Sequence, residues 1–286
     1  MTFWEHLDEL RGSLIRMAVA VVACAIVAFL FKEELFGIIL APQDEGFITY
    51  RLLGKVSQAL MPSAALTMEG LDVQLINTGL AHQFLLHVRA SLYAGVLVTS
   101  PYLLYQLFRF VSPALYVHER RHAVRLVGWG YLLFMLGVLV SYLLIFPLVF
   151  RFLGNYQVST AVANTVTIES YMSSLMSITL AMGILFEIPV LCWVLGRMGI
   201  INATLMRRYR RHVIVALLIV AAIITPTSDV FTLTLVALPM WLLYEVGVLI
   251  VKKTKKDDND NVNDNQLGRH TLPHTLNTQH STLNSK

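Results

Sequence analysis

Apolar residues run along this chain in six blocks, at about 14–31, 83–108, 126–150, 171–195, 213–225 and 230–251, and most of the charge lies between them. Inside the blocks the apolar positions are continuous. They do not alternate over ~10-residue segments as the strands of a membrane β-barrel do. A ~30 Å hydrocarbon layer takes about 20 residues of helix, and backbone groups in lipid must bond internally. The pattern therefore predicts an all-α integral membrane protein with six transmembrane helices. The fifth block holds about 13 residues between His212 and Pro226, roughly 20 Å as a helix. The sixth is interrupted by Pro239. Both read as short spans, expected to sit together with the bilayer thinned around them.

The segments between the blocks carry their own signals. Leu7, Leu10 and Leu14 recur at helical spacing, which predicts an amphipathic surface helix ahead of the first span. Residues 32–82 are long for a loop and hold Pro42, Gly46, Gly54, Pro62 and Gly70 between apolar stretches. They predict a partly helical cap on the outer face. From residue 257 the chain turns to Asn, Asp, Thr and His. Residues 1–256 thus read as the membrane domain and 257–286 as a disordered polar cytoplasmic tail. Glu5, Asp8 and Glu9 precede the first block, and its apolar run continues through Phe31, so it does not read as a cleaved leader.

Composition agrees. Of 286 residues, 56% are apolar and 14% charged, against about 25% charged in a soluble domain. Mean hydropathy is +0.63. These values exclude a disordered chain and argue against a soluble enzyme. The net charge is +4, but its placement is more informative. Fifteen Lys and Arg residues flank one side of the blocks, among them Arg11, Arg120, Arg121, Arg207, Arg208, Arg211 and Lys252, against four on the other: Lys32, Arg51, Lys55 and Arg151. Both termini are therefore expected in the cytoplasm. Cys24 and Cys192 lie inside apolar blocks and read as small hydrophobes.

Ionisable residues inside spans are candidates for function. Glu187 lies well inside the fourth block, beside Pro189, which is expected to kink the helix. It reads either as a polar feature offered to a substrate or partner, or as a glutamic acid bonded to a neighbouring helix. Arg89 is expected to snorkel to the outer face. Glu245 either bonds within the bundle or reaches the cytoplasmic surface. At the cytoplasmic ends, Glu9 and Glu119 are acids among arginines. Carboxylates take guanidinium groups by bidentate, charge-assisted bonds. They could accept an arginine pair from a partner, or neutralise Arg11, Arg120 or Arg121 within the chain. There is no G-x-S-x-G, H-E-x-x-H or P-loop motif. No catalytic residue, cofactor or metal site is expected, His270, His274 and His280 being too irregularly spaced for one. The absence of an internal repeat gives no support to an inverted-repeat transporter.

Several blocks, in order over residues 5–250, resemble the TatC family of twin-arginine protein translocases. His6-Leu7-Asp8-Glu9-Leu10-Arg11 is similar to its H-L-x-E-L-R, and Ser100-Pro101-Tyr102-Leu103-Leu104-Tyr105-Gln106 to its S/A-P-x-x-x-Y-Q. Phe110 to Arg121 is similar to F-x-x-P-x-L-Y-x-x-E-R-R, and Phe186-Glu187-Ile188-Pro189 to F-E-x-P. Thr225-Pro226 with Asp229, then Ala237-Leu238-Pro239 and Tyr244-Glu245-Val246-Gly247, resemble its last hairpin. The resemblance implies a receptor that binds the twin-arginine signal peptides of folded cargo and exports that cargo across the bacterial cytoplasmic (inner) membrane on the proton motive force. It assigns the arginine pair to Glu9 and Glu119, with Arg11 and Arg121 organising the surface and Phe110 and Pro113 shaping the loop. The signal's apolar segment would lie near Glu187. TatA- and TatB-type single-span proteins would dock at Thr225, Asp229 and Thr232 in an oligomeric complex within the lipid bilayer, without nucleic acid. Pro42, Pro101, Gln106, Pro189 and Glu245 are structural positions in this reading. Two departures stand out. The usual Thr-Pro-Pro-Asp turn is one residue longer here, and Leu233 replaces a glutamine of some relatives, with Thr232 or Thr234 available instead. The alternative function is a proton-coupled secondary transporter of a small solute using Glu187.

Overall fold

The structure is a computed structural model that describes residues 3–44, 46–60, 75–111, 123–156, 165–225 and 229–270. It is almost wholly helical. Helix α1 runs from Phe3 to Leu30. No separate surface helix precedes the first span: residues 3–30 contain no proline, and a Cβ at Gly12 would meet nothing, so the helix continues through. Within the cap region, α2 (Lys32–Leu40), a 3-10 turn (Ala41–Gln43) and α3 (Ile48–Leu60) follow. Helix α4 covers His82–Val111. The third block becomes α5 (Ala123–Val140), one π turn (Ser141–Ile145) and α6 (Phe146–Asn155). The fourth becomes α7 (Ile168–Leu185) and α8 (Ile188–Arg197). Last come α9 (Ala203–Arg208), α10 (Arg210–Ile224) and α11 (Val230–His270). A two-residue parallel ladder joins β1 (Leu75–Ile76) to β2 (Val166–Thr167), a pairing too short to read from sequence.

Among the described residues, four stretches are long and apolar enough to cross a membrane: Asp8–Leu30, Leu126–Asn155, Ile168–Arg197 and Val230–Lys252. Helix α4 has the length, at 30 residues, but His82, His87, Arg89, Ser91, Thr99, Ser100 and Gln106 lower its hydropathy. Helix α10 has 15 residues, about 22 Å. The expected short sixth span is corrected: Pro239 lies inside a continuous α11, and Val230–Lys252 is 23 residues long, about 34 Å. An internal proline removes one backbone bond, and a helix in an apolar setting tolerates it. Helix α11 also continues to His270, past the composition change at residue 257. Residues 248–267 contain no Gly or Pro, so a nucleated helix adds a bond per residue.

The core lies between α5–α6 and α7–α8. Ile145, Phe146, Met172, Ile178 and Met182 are almost fully buried there. Small residues set the spacing. A Cβ on Gly137 would stand 2.6 Å from the Met182 carbonyl, and one on Gly183 would stand 2.9 Å from the Phe134 ring. Helix α1 packs against α4, where a Cβ on Gly95 would stand 2.7 Å from the Val21 carbonyl. Such close approach is how helices associate where lipid is as apolar as leucine.

Prolines recur with a hydroxyl partner. A proline leaves the carbonyl four residues earlier without its N–H donor. Pro101 does this to Leu97, and the Ser100 hydroxyl donates to that carbonyl at 2.7 Å. Pro42 does it to Ile38, and the Tyr142 hydroxyl donates there at 2.5 Å. Pro147 does it to Leu143, which accepts from Thr49 of the cap. The Tyr171 hydroxyl donates to Ile39 O at 3.0 Å, and that of Tyr50 lies 3.1 Å from Pro42 O and 3.2 Å from Pro147 O. The cap is thus tied to the bundle through carbonyls. Burial pushes the Tyr50 phenol up to about 12, against the opposing pull of Arg151, whose guanidinium lies 5.2 Å from the ring centre.

Candidate functional site

Glu187 stands at the break between α7 and α8. Pro189 falls in the first turn of α8, where its missing N–H costs nothing. The expected kink is therefore a full interruption at Phe186–Glu187. The Glu187 carboxylate does not cap α8 but turns toward α5, where a Cβ on Gly130 would stand 3.1 Å from Oε2 and 3.1 Å from the Phe108 ring. The residue is 8% exposed, and neither oxygen has a hydrogen-bond partner among the described residues. A buried carboxyl group without a donor is costly, and here only a glycine makes room for it. Chemically, it is an acceptor between α4, α5 and α8 that an entering donor would satisfy. Elsewhere on α4, Pro101 sits inside the helix, and buried Gln106 donates to the Tyr102 hydroxyl at 2.7 Å.

The hairpin of α10 and α11 holds a second set. Thr225 ends α10 and donates from Oγ1 to Ala221 O at 3.0 Å. Asp229 starts α11 by accepting the Thr232 amide at 2.7 Å, an N-cap bond. Thr232 is fully buried, and its hydroxyl has no partner. Glu245 bonds within the bundle: Arg210 Nε lies 2.7 Å from its Oε1, though off the hydrogen-bond axis. At the end of α9, Tyr244 donates to Met206 O at 2.7 Å.

On α1, Glu9 is half-buried and Arg11 exposed. Phe110 is in the last turn of α4, with its side chain outside the described residues, as are Pro113, Glu119 and Arg121. The pairing of Glu9 with Glu119 therefore lies outside the described residues. Pro42 is buried in the cap turn. Among the described residues, no three His, Cys, Asp or Glu side chains are grouped to hold a metal ion.

The family model described as "Sec-independent protein translocase protein (TatC)" matches residues 5–239. The chain belongs to the TatC family. It is 33% identical over 252 residues to the Sec-independent protein translocase protein TatC of Escherichia coli K12, covering 85% of each chain. It is 32% identical over 253 residues to that of Aquifex aeolicus, covering 88% of this chain and 95% of the relative. Among solved structures it is similar to a crystal structure of "Twin Arginine Translocase Receptor- TatC", with a TM-score of 0.69, 32% identity, and coverage of 86% of this chain and 97% of that one. A second, in DDM, gives 0.70 at 31%. This chain is thus a membrane protein of a protein-translocase family.

With the TatC frame in place, some partners stand out that sequence reading missed. Glu169, in the first turn of α7, bridges His82 (3.4 Å) and Arg89 (3.3 Å) on α4. Arg89 is exposed and meets that acid on α7. Its signal in the sequence was only an acid at a predicted helix start. Nothing in its local pattern singles out Arg210, another of the fifteen basic residues on one side of the blocks, as the partner of Glu245.

Proposed function

We propose that this chain is the receptor and core subunit of a twin-arginine translocase in the bacterial cytoplasmic membrane. It crosses the membrane six times with both termini inside, α4 and the short α10 completing the four longer stretches. The family match over residues 5–239 carries the reading. Glu9 and Glu119 bind the arginine pair of a signal peptide through bidentate bonds, with Arg11, Arg121, Phe110 and Pro113 shaping that surface. The apolar part of the signal lies along the bundle, where the open acceptor at Glu187 offers it a polar contact. TatA- and TatB-type single-span proteins dock on α10 and α11 near Thr225, Asp229 and Thr232. The complex exports folded cargo on the proton motive force. One charge crossing 100 mV yields about 2.3 kcal/mol, so many charges or a weakened bilayer are required. The 15-residue α10 supports weakening by local thinning.

Binding of a fluorescent signal peptide to the detergent-purified full chain tests this. The twin-arginine peptide is expected to bind about tenfold tighter than its twin-lysine counterpart, because lysine lacks the fork. Glu9→Ala and Glu119→Ala are each expected to remove the difference. Equal binding of both peptides to the unaltered chain overturns the assignment.

A further inference from the structure

Helix α9 meets α10 at Tyr209, whose backbone leaves helical geometry (φ −94°, ψ 9°). The elbow is fixed from α11. Tyr244 holds Met206 O, Glu245 holds Arg210, and the Arg210 guanidinium lies 5.8 Å from the Trp241 ring centre. Arg210 is therefore committed to the bundle. Its neighbours are not. Arg207, Arg208 and Arg211 are exposed, and among the described residues no carboxylate lies within ion-pair distance of any of them. Arg207 and Arg208 end α9 and Arg211 lies in the first turn of α10, so the three flank the elbow within five residues. His212 extends the group, its ring 5.7 Å from that of Tyr209.

These groups sit where lipid has to come to them. Once Arg210, Arg211 and His212 are set aside, α10 has a dozen residues left, about 18 Å of helix. Val215, Ile219 and Ile223 are 56%, 56% and 78% exposed, so that helix presents an apolar flank to its surroundings. Lipid matched to so short a flank draws its headgroups inward. At the cytoplasmic end it then meets guanidinium groups with no carboxylate partner among the described residues. A fork donor matched to phosphate oxygens is what that headgroup needs.

We propose that Arg207, Arg208 and Arg211 form a binding site for the phosphate of anionic membrane lipids, which pins the inner-leaflet headgroups at the end of α10. The proposal rests on the orientation proposed above, in which α10 begins at the cytoplasmic face. Its readout involves no signal peptide, so the two readings fail separately.

The test uses the full chain purified in detergent, with short-chain phosphatidylglycerol and phosphatidylcholine titrated separately and bound lipid counted by native mass spectrometry. Phosphatidylglycerol is expected to bind at least about tenfold tighter, since each basic side chain near an anionic surface contributes several-fold. Arg207→Gln/Arg208→Gln/Arg211→Gln is expected to bring the two lipids within about twofold of each other. Lys253→Gln/Lys255→Gln/Lys256→Gln, which removes equal charge from α11 just past its apolar stretch, is expected to keep most of the preference. Inorganic phosphate at millimolar concentration is not expected to displace the lipid. Should the triple arginine variant fail to fold, each single substitution is expected to lower the preference about threefold. The proposal is overturned by three outcomes: no preference in the unaltered chain, a preference that survives the arginine substitutions, or displacement by free phosphate.

Discussion

Two stretches of nearly equal hydropathy have opposite surroundings. Asp8–Leu30 has a mean hydropathy of 2.5 and 6% of its most apolar part buried, whereas Leu126–Asn155 has 2.6 and 44%. Ile168–Arg197, the partner of the second stretch, is less apolar at 2.2 and more buried at 56%. Hydropathy thus reports that a helix leaves water, not whether it meets lipid or protein. The difference lies in residues that hydropathy weighs little. The α5–α8 core carries Gly130, Gly137 and Gly183 at its contacts, and each would bring a Cβ within 3.1 Å of a neighbour. Its hydroxyls answer one another and the prolines: Ser141 lies 3.3 Å from Thr179, and Tyr142 reaches Ile38 O. Helix α1 meets α4 at Gly95 and through Phe29, whose ring stacks on His87 at 4.0 Å and meets Phe84 edge-on.

This contrast can be broken by substitution. The largest effect is expected for Gly137→Leu, which drives a side chain into the Met182 carbonyl. It should cost about 3 kcal/mol, at the upper end of overpacking, and lower the melting midpoint in detergent by about 10 °C. An unchanged midpoint would mean that α5 and α7 are not in contact. Gly95→Leu is expected to release α1 and leave the core standing. Its midpoint should fall less than half as far, while a spin label at Val21 gains mobility. If the two variants melt alike, the distinction between core and peripheral helix is wrong. Tyr142→Phe leaves the Ile38 carbonyl, already deprived by Pro42, without a donor. A cost of about 1–2 kcal/mol is expected, with faster amide exchange in α2 and little change in α10. The smallest effect concerns pH. The Tyr50 phenol sits above its ordinary value because it is buried, so its contribution is complete below pH 10 and is lost as pH rises toward about 12. Ultraviolet titration of the phenolate should show one late-ionising tyrosine fewer in Tyr50→Phe than in the unaltered chain, whose midpoint should fall more steeply above pH 10.

Much of this was legible in the sequence, for physical reasons. Six apolar blocks, the short α10 and the charge asymmetry follow from the cost of burying backbone and charge in lipid, which acts on every residue. Glu187 stood out for the same reason. What sequence reading missed depends on neighbours. Pro189 predicted a kink, but the full break that turns the Glu187 carboxylate to Gly130 needs α5 beside it. Pro239 predicted an interruption, yet α11 passes through it. The surface helix expected before the first span is part of α1, since nothing in residues 3–30 stops a helix once formed. The ties from Tyr50 to α6 and from Tyr142 and Tyr171 to α2 join positions 97, 104 and 132 residues apart, and no local pattern announces them. The motif around Glu9 and Glu119 was readable only through resemblance, because an acid among arginines is equally well explained as internal neutralisation.

That last ambiguity is where the account is most exposed. The most direct measurement places a photocrosslinker beside Glu119 in membranes and adds a precursor with an intact arginine pair, with the double-lysine precursor as control. The account predicts a crosslink that requires the arginines and disappears in Glu9→Ala and Glu119→Ala. Equal crosslinking of both precursors, or none of either, would contradict it and return the two carboxylates to neutralising their own neighbours.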